Sequence, residues 1–352
     1  RWRSEKGLLP PKKLIIADDT LTADEAYRVA CEGTGIIWRG DFQNAKQLLQ
    51  AMSRRADKPS KKSIRNQKSA KNKQEGVIPL AVPMSEIFHK HRLTQSQRSR
   101  TLGMLLIQVE PDHTIALRRA PDVSQACLAV YGAVTEPYVM SLRDLLGFIG
   151  SLEWRKNGMA LDALKDLGDG RIHPHYGVFA PVRSEYIGLL EKAPFPASIN
   201  KQSLAFDIGT GTGVLAAVLA KRGIQKIVAT DQDERAIECA AENIEGLGIG
   251  KQVKLLQTSL FPEGQAPLII CNPPWVPARP SSPIEYAVYD PDSQMLKGFL
   301  TGLKEHLSPE GERGFNTIEA GGYSGSENLG PISSIDFSFK VHYQGSASQS
   351  SG

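Results

Sequence analysis

The alternation of short apolar runs with longer amphipathic stretches between residues 204 and 308 constrains this chain most. "LAFDIG", "KIVATD", "QVKLLQTS" and "PLIICN" have the length and apolar content of buried strands. "GVLAAVLAKRG", "ERAIECAAENIEGLG" and "DSQMLKGFLTGLKEHL" carry apolar residues at helical spacing. Strand and helix taking turns predict βαβ crossovers and a parallel sheet with helices packed on it. Ligands of such sheets bind beyond the carboxyl ends of the strands. The loops at that edge are where chemistry is to be sought.

Three of those loops carry unusual residues. In "FDIGTGTG", Asp207 precedes Gly209, Thr210, Gly211, Thr212 and Gly213. Glycine at every second position lets the backbone turn tightly and admits a ligand closely. The third glycine of the dinucleotide fingerprint would fall at position 214, where Val214 stands, so a pyrophosphate is not indicated. Asp207 suits a cationic ligand group instead. Asp231, 18 residues beyond Gly213, closes the second strand and can accept both hydroxyls of a ribose. Asp233 is placed to cap the helix that follows.

The third loop is "IICNPPWVP". Two consecutive prolines cannot donate ladder hydrogen bonds, so the strand ends at Asn272. Pro273 forces Asn272 out of the helical region and stiffens the carbonyl that follows. The Asn272 side-chain oxygen and the Pro273 carbonyl then form a fixed pair of acceptors, with Trp275 able to lie over a flat group beside them. Such a corner suits a planar nitrogen carrying two hydrogens. An ordinary turn is the plainer reading of Asn-Pro alone. The glycine turn upstream makes the acceptor corner the better one.

"FDIGTGTG", "ATD" and "IICNPPW", in this order and spacing, resemble class I S-adenosylmethionine-dependent methyltransferases, and among them the Asn-Pro-Pro-aromatic group that methylates planar nitrogens. With "YDPDSQMLKGF" following, the pattern is similar to the release-factor glutamine N5-methyltransferase branch; adenine N6-methyltransferases of DNA and RNA share the tetrapeptide. The resemblance covers about residues 170 to 312. It implies a Rossmann-like α/β fold with S-adenosylmethionine as cofactor. Asp207, Gly209, Thr210, Gly211 and Gly213 would then line its methionine part and Asp231 its ribose, while Asn272, Pro273 and Trp275 would hold the acceptor. "HYGVFAPVRSEYIGLL" resembles the segment that packs over the cofactor, which adds Phe179 and Arg183. Where the family carries an acid near the adenine amino group, this chain has Ser259, a weaker acceptor.

The resemblance implies a protein glutamine as partner, with a nucleic-acid base as the alternative and an inactive cofactor-binding product as a third reading. A steep salt dependence would mark nucleic acid. Net charge is only +4, too small to identify a nucleic-acid binder by itself. "RRADKPSKKSIRNQKSAKNK" concentrates nine basic residues against one acid and has no aromatic to stack on bases, so it reads as a solvated linker.

The expected division is a helical segment over 1–53, a basic disordered linker over 54–76, a mixed accessory region over 77–168, the methyltransferase domain over 169–312 and an atypical, largely disordered tail over 313–352. Thr22-Ala23-Asp24-Glu25 fits a capping box, and Asp41 suits the cap of a second helix. In the tail only "IDFSFKVHY" alternates like a strand, so either it supplies an unusual closing strand or, the reading preferred, the closing strands of the sheet are incomplete and the product truncated.

The chain opens on Arg1, which suggests a fragment or processed form and leaves a targeting signal open. Four scattered cysteines without metal-like spacing suit free thiols in a reducing, cytoplasmic setting. No apolar run has the length of a membrane span. His173 and His175 lack the companions of a metal site and read as loop packing. Cys271 should point away from Asn272, because strand residues alternate faces.

Overall fold

The computed structural model describes residues 1–57, 84–182, 185–195, 199–274, 289–308, 316–319 and 338–341. The chain divides into two compact units, residues 1–150 and 151–352.

The first unit is built on a four-stranded sheet. Its elements are β1 (Lys13–Ala17), α1 (Ala23–Cys31), β2 (Thr34–Trp38), α2 (Phe42–Ala56), α3 (Met84–Leu102), β3 (Leu105–Val109), α4 (Ser124–Tyr131), β4 (Tyr138–Ser141) and the start of α5 (Leu142–Asn157). The strand order is β1-β2-β3-β4, parallel across the first three and antiparallel at the last pair. The expectation of a helical region over residues 1–53 fails here, because 13–17 and 34–38 are strands. Both are five-residue runs with paired isoleucines; β1 is a strand through its pairing with β2, and β2 also pairs with chain far away in sequence, Ile36 with Leu105 and Ile37 with Leu106. Gly35 permits that closeness, since a Cβ there would lie 2.8 Å from both Leu14 and Leu106 side chains. Thr22 and Asp41 are both N-caps. Thr22 accepts from the Glu25 amide at 3.3 Å and Asp41 from the Gln43 amide at 2.8 Å. Asp41 also accepts from Arg118 and Arg119, whose hydrogen bonds help hold its carboxyl well below the usual range.

The second unit contains the end of α5, then β5 (Met159–Ala160), β6 (Arg171–Ile172), α6 (Glu185–Lys192), β7 (Leu204–Ile208), α7 (Val214–Lys221), β8 (Lys226–Asp231), α8 (Glu234–Gly246), β9 (Val253–Gln257), β10 (Leu268–Cys271) and α9 (Gln294–His306). β7 to β10 form a parallel sheet in the order β10-β7-β8-β9. Period-two alternation sorts the strand side chains to two faces. Ala205, Ile227, Ala229, Leu268 and Ile270 pack with the buried residues of α6, α7 and α8, whereas Phe206, Ile208, Ile269 and Cys271 pack with Phe299 of α9. The sheet thus has helices on both faces, the Rossmann-like arrangement expected.

The chain winds outward from β7 through β8 to β9, then returns to place β10 on the other side of β7. The order reverses between β7 and β10, and such reversals open a crevice at the carboxyl ends of the strands. After α9, Leu307 makes a single parallel bridge to Ala266, just ahead of β10. Two further strands, β11 (Asn316–Glu319) and β12 (Ser338–Val341), pair antiparallel as a separate sheet, and β12 lies within the stretch read as a strand.

Candidate active site

Strand register brings the rim residues together. Cys271 pairs with Ile208 across β10 and β7, and Ile208 pairs with Thr230 across β7 and β8. One step further along each strand are Asn272, Gly209 and Asp231, so Gly209 stands between an amide on one side and a carboxylate on the other. Gly209 is exposed at this rim, and Asn272, Pro273 and Asp231 are half-buried. Cys271 goes to the α9 face with Phe299, and its buried thiol is raised well above its ordinary pKa by burial.

The turn from Gly209 to Gly213 is held by bonds from every side. Gly209, Gly211 and Gly213 all have positive φ, at 72°, 56° and 81°. The Thr210 amide donates to the Thr230 carbonyl at 2.8 Å, the Gly211 amide to Asp231 Oδ2 at 3.0 Å, and the Gly213 amide to the Thr210 carbonyl at 2.9 Å. A Cβ on Gly213 would come within 3.3 Å of Ala240 Cβ, so this glycine lets the turn press on α8. A Cβ on Gly211 would meet nothing within 4 Å. Gly211 borders open space.

Asp207 lies beneath the turn and is fully buried. Its Oδ2 accepts from the Thr210 hydroxyl at 2.6 Å and the Ala216 amide at 3.1 Å, so it ties the turn to the first helical residues of α7. Its Oδ1 is buried with no hydrogen-bond partner. Burial pushes the carboxyl pKa up to about 6, against those two hydrogen bonds. Asp231 is also raised by burial, while its hydrogen bonds to the Asp233 and Gly211 amides act the other way. Each Asp231 oxygen accepts one backbone N–H, which leaves each a second lone pair.

Other expected residues are less centrally placed. Ser259 is exposed in the loop after β9, whose Thr258 amide donates to the Asp231 carbonyl at 2.9 Å. Phe179 is half-buried on the stretch where Val178 packs on Ala236 and Cys239 of α8. Trp275 and Arg183 lie outside the described residues, as does most of the basic stretch. His173 and His175 are occupied as packing residues. His173 hydrogen-bonds the Arg155 carbonyl at 2.7 Å, and His175 the Glu242 carboxylate at 2.7 Å. Among the described residues no group of histidines, cysteines and acids could hold a metal.

Three residues were not singled out from sequence. Asp290 is buried, and its two oxygens accept the Met295 and Leu296 amides at 3.0 and 3.1 Å, which fixes the start of α9; the Met295 methyl comes within 3.4 Å of where a Gly209 Cβ would be. Cys239 accepts from the His175 amide at 3.4 Å. Asn243 is buried and donates to the Thr212 carbonyl at 3.0 Å, inside the glycine turn. Its signal was present: an amide on the apolar stripe of α8, in step with Ala236, Cys239 and Ala240.

Residues 187–273 match the family model described as ribosomal protein L11 methyltransferase (PrmA). This interval runs from α6 to the residue after Asn272 and includes the whole glycine turn. The match covers about a quarter of the chain and lies wholly within the second unit. Among curated relatives, a ribosomal protein L11 methyltransferase of Pelotomaculum thermopropionicum is 38% identical over 86 residues, 24% of this chain and 26% of that protein. A release factor glutamine methyltransferase of Cereibacter sphaeroides is 31% identical over 147 residues, 37% of this chain and 50% of that protein. The chain thus spans between a quarter and a half of these relatives' lengths. A solved ribosomal protein L11 methylase from Lactobacillus delbrueckii subsp. bulgaricus aligns at 24% identity with a TM-score of 0.30, covering 41% of this chain and 66% of that one.

The rim residues fit the chemistry of S-adenosylmethionine, the cofactor that the resemblance implies. A buried carboxylate oxygen without a partner suits a cationic amino group, the space beside Gly211 is open, and Asp231 keeps lone pairs for a diol. No helix among the described residues is long and apolar enough to cross a membrane.

Proposed function

We propose that the second unit transfers a methyl group from S-adenosylmethionine to a planar nitrogen, and that the acceptor is the side-chain amide of a protein glutamine. The observation that carries this reading is the register that sets Asp231 and Asn272 on either side of Gly209. S-adenosylmethionine supplies, when bound, a methyl group already activated by a positive sulfonium. The protein's task is to bind and orient. Asp207 receives the cationic end and Asp231 the ribose. The Asn272 side-chain oxygen and the Pro273 carbonyl accept the two hydrogens of the acceptor nitrogen.

An amide nitrogen is a poor nucleophile because its lone pair is delocalised. Accepting both of its hydrogens favours localisation of that pair as the new bond forms, which helps mostly in the transition state. Alignment in a fixed site contributes on the order of 7–11 kcal/mol to such reactions. Support for a protein acceptor comes from the relatives, which are protein-modifying methyltransferases by name, one of them for glutamine. The second reading, an exocyclic amine of a nucleic-acid base, is favoured by the nine basic residues against one acid in 54–73.

Incubation of the full chain with methyl-labelled cofactor and cell extract, followed by separate protease and nuclease digestion, separates the two. Label released by protease alone supports the glutamine reading, and label released by nuclease alone supports the base. Absence of S-adenosylmethionine binding in calorimetry at saturating ligand would sink both.

A further inference from the structure

The stretch from His173 to Phe179 and the glycine turn approach α8 from different parts of the chain, and one side chain touches both. Asn243 Oδ1 accepts from the His173 amide at 2.7 Å, while its Nδ2 donates to the Thr212 carbonyl at 3.0 Å and to the His173 carbonyl at 3.4 Å. The side chain is 2% exposed. We propose that Asn243 is a positioning residue that holds the glycine turn and the 173–179 strap at a fixed separation across α8, and so sets affinity for the cofactor. This rests on the reading of the rim as an S-adenosylmethionine site.

Only an amide side chain can hold both neighbours in this way. It has a donor and an acceptor on one planar fork. Rotating that fork by half a turn would face its oxygen against the Thr212 carbonyl, an acceptor against an acceptor. Aspartate in its place has acceptors on both arms and cannot satisfy Thr212. The Thr212 carbonyl belongs to the peptide unit whose N–H, on Gly213, closes the turn onto the Thr210 carbonyl at 2.9 Å. Repelling that carbonyl tilts the peptide and opens the turn. The turn runs close to α8 on that side, where even a Cβ on Gly213 would come within 3.3 Å of Ala240. The same fork holds the backbone of His173 at the start of the strap, four residues before Gly177 and six before Phe179. Both walls of the proposed pocket are therefore registered on one residue.

A separate set of contacts fastens the strap without touching the turn, and it supplies the control. Glu242 accepts from Arg155 at 2.7 and 3.0 Å and pairs with His175 at 2.7 Å. Removing it loosens the strap's outer anchor only.

The test is S-adenosylmethionine affinity by calorimetry, with thermal unfolding of the ligand-free protein, for the full chain and for Asn243→Asp and Glu242→Ala. Asn243→Asp should weaken binding by about tenfold or more, the scale of a buried donor lost with its acceptor left unpaired. Glu242→Ala should lower the unfolding temperature yet leave affinity within about twofold, as expected for a partly exposed pair. If Asn243→Asp does not fold, Asn243→Ala, which removes the donor without adding an opposed acceptor, is read in the same way. Equal affinities in the unmodified chain and the Asn243 variant overturn the role of Asn243 alone. Equal losses in the Asn243 and Glu242 variants overturn it too, because strap anchoring would then suffice. No binding by the unmodified chain overturns both this inference and the reading it rests on.

Discussion

Asp207 has a cost that a pH titration can expose. The carboxyl group is fully buried, and burial pushes its pKa up to about 6 from an ordinary 3.8. Each factor of ten in that equilibrium is worth about 1.4 kcal/mol, so keeping the group ionised at neutral pH costs the folded protein about 3 kcal/mol relative to the unfolded chain. Well below 3.8 both forms hold the proton and no penalty exists. As pH rises, the unfolded chain releases its proton first and the folded protein later, so stability declines through this window and levels off above about pH 6.

Asparagine at the same position does not titrate. The gap in unfolding free energy between Asp207→Asn and the unmodified chain should therefore move by about 2.4 kcal/mol in favour of asparagine from pH 4 to pH 7, because a part of the penalty is already present at pH 4. Any fixed cost of the new amide shifts the whole curve and not its slope. Urea unfolding of both proteins across that range measures the gap. A gap flat to within about 0.5 kcal/mol would show that Asp207 is not strained by burial, and the reasoning from its unpartnered oxygen would fail with it. In the same experiment at pH 7, S-adenosylmethionine should stabilise the unmodified chain and do much less for the asparagine variant.

Asn272→Ala should leave S-adenosylmethionine affinity nearly unchanged in calorimetry while labelled methyl transfer falls by about 10²–10³, the scale of losing a transition-state hydrogen-bond partner; full turnover would dismiss the acceptor corner. Gly211→Ala and Gly213→Ala should separate binding from stability. At Gly211, with φ of 56° and open space beyond, the new methyl should cost about 1–2 kcal/mol of stability and also obstruct the cofactor. At Gly213, with Ala240 at 3.3 Å, destabilisation should be larger, about 1–3 kcal/mol for the crowding alone, as read by thermal unfolding. Asp231→Ala should both weaken cofactor binding in calorimetry and release the Gly211 amide, visible as faster hydrogen exchange at that residue; protection that survives the substitution would count against the bond.

What the sequence disclosed depended on whether the deciding contacts were local. The strands and helices from 204 to 306 were legible because each apolar run was long enough to show its period and was bounded by glycine or proline. The caps at Thr22 and Asp41 were legible for the same reason, since donor and acceptor lie within three residues. β1 and β2 were not, because five-residue runs become strands only through their partners, β1 through β2 and β2 also through residues 105 and 106. Asn243 was overlooked for a related reason: its partners, Thr212 and His173, are 31 and 70 residues away. Asp290 lay inside a motif noted for its family likeness, but its grip on the α9 amides depends on a turn in which Asp292 and Ser293 take positive φ. The rim residues themselves could be named because strand ends and glycine turns are written into the chain one residue at a time.

The flanking of Gly209 by two differently equipped strands sets a scale. Neighbouring strands are separated by about 4.8 Å, so the ends of β8 and β10 stand roughly 10 Å apart across β7. A ligand that touches both must lie athwart the strands rather than along them. The half of the cleft beyond β8 and the half beyond β10 then answer to different segments of chain. On the proposed reading, substitutions after Asn272 would change the acceptor, while the loops after β8 and β9 would keep the donor.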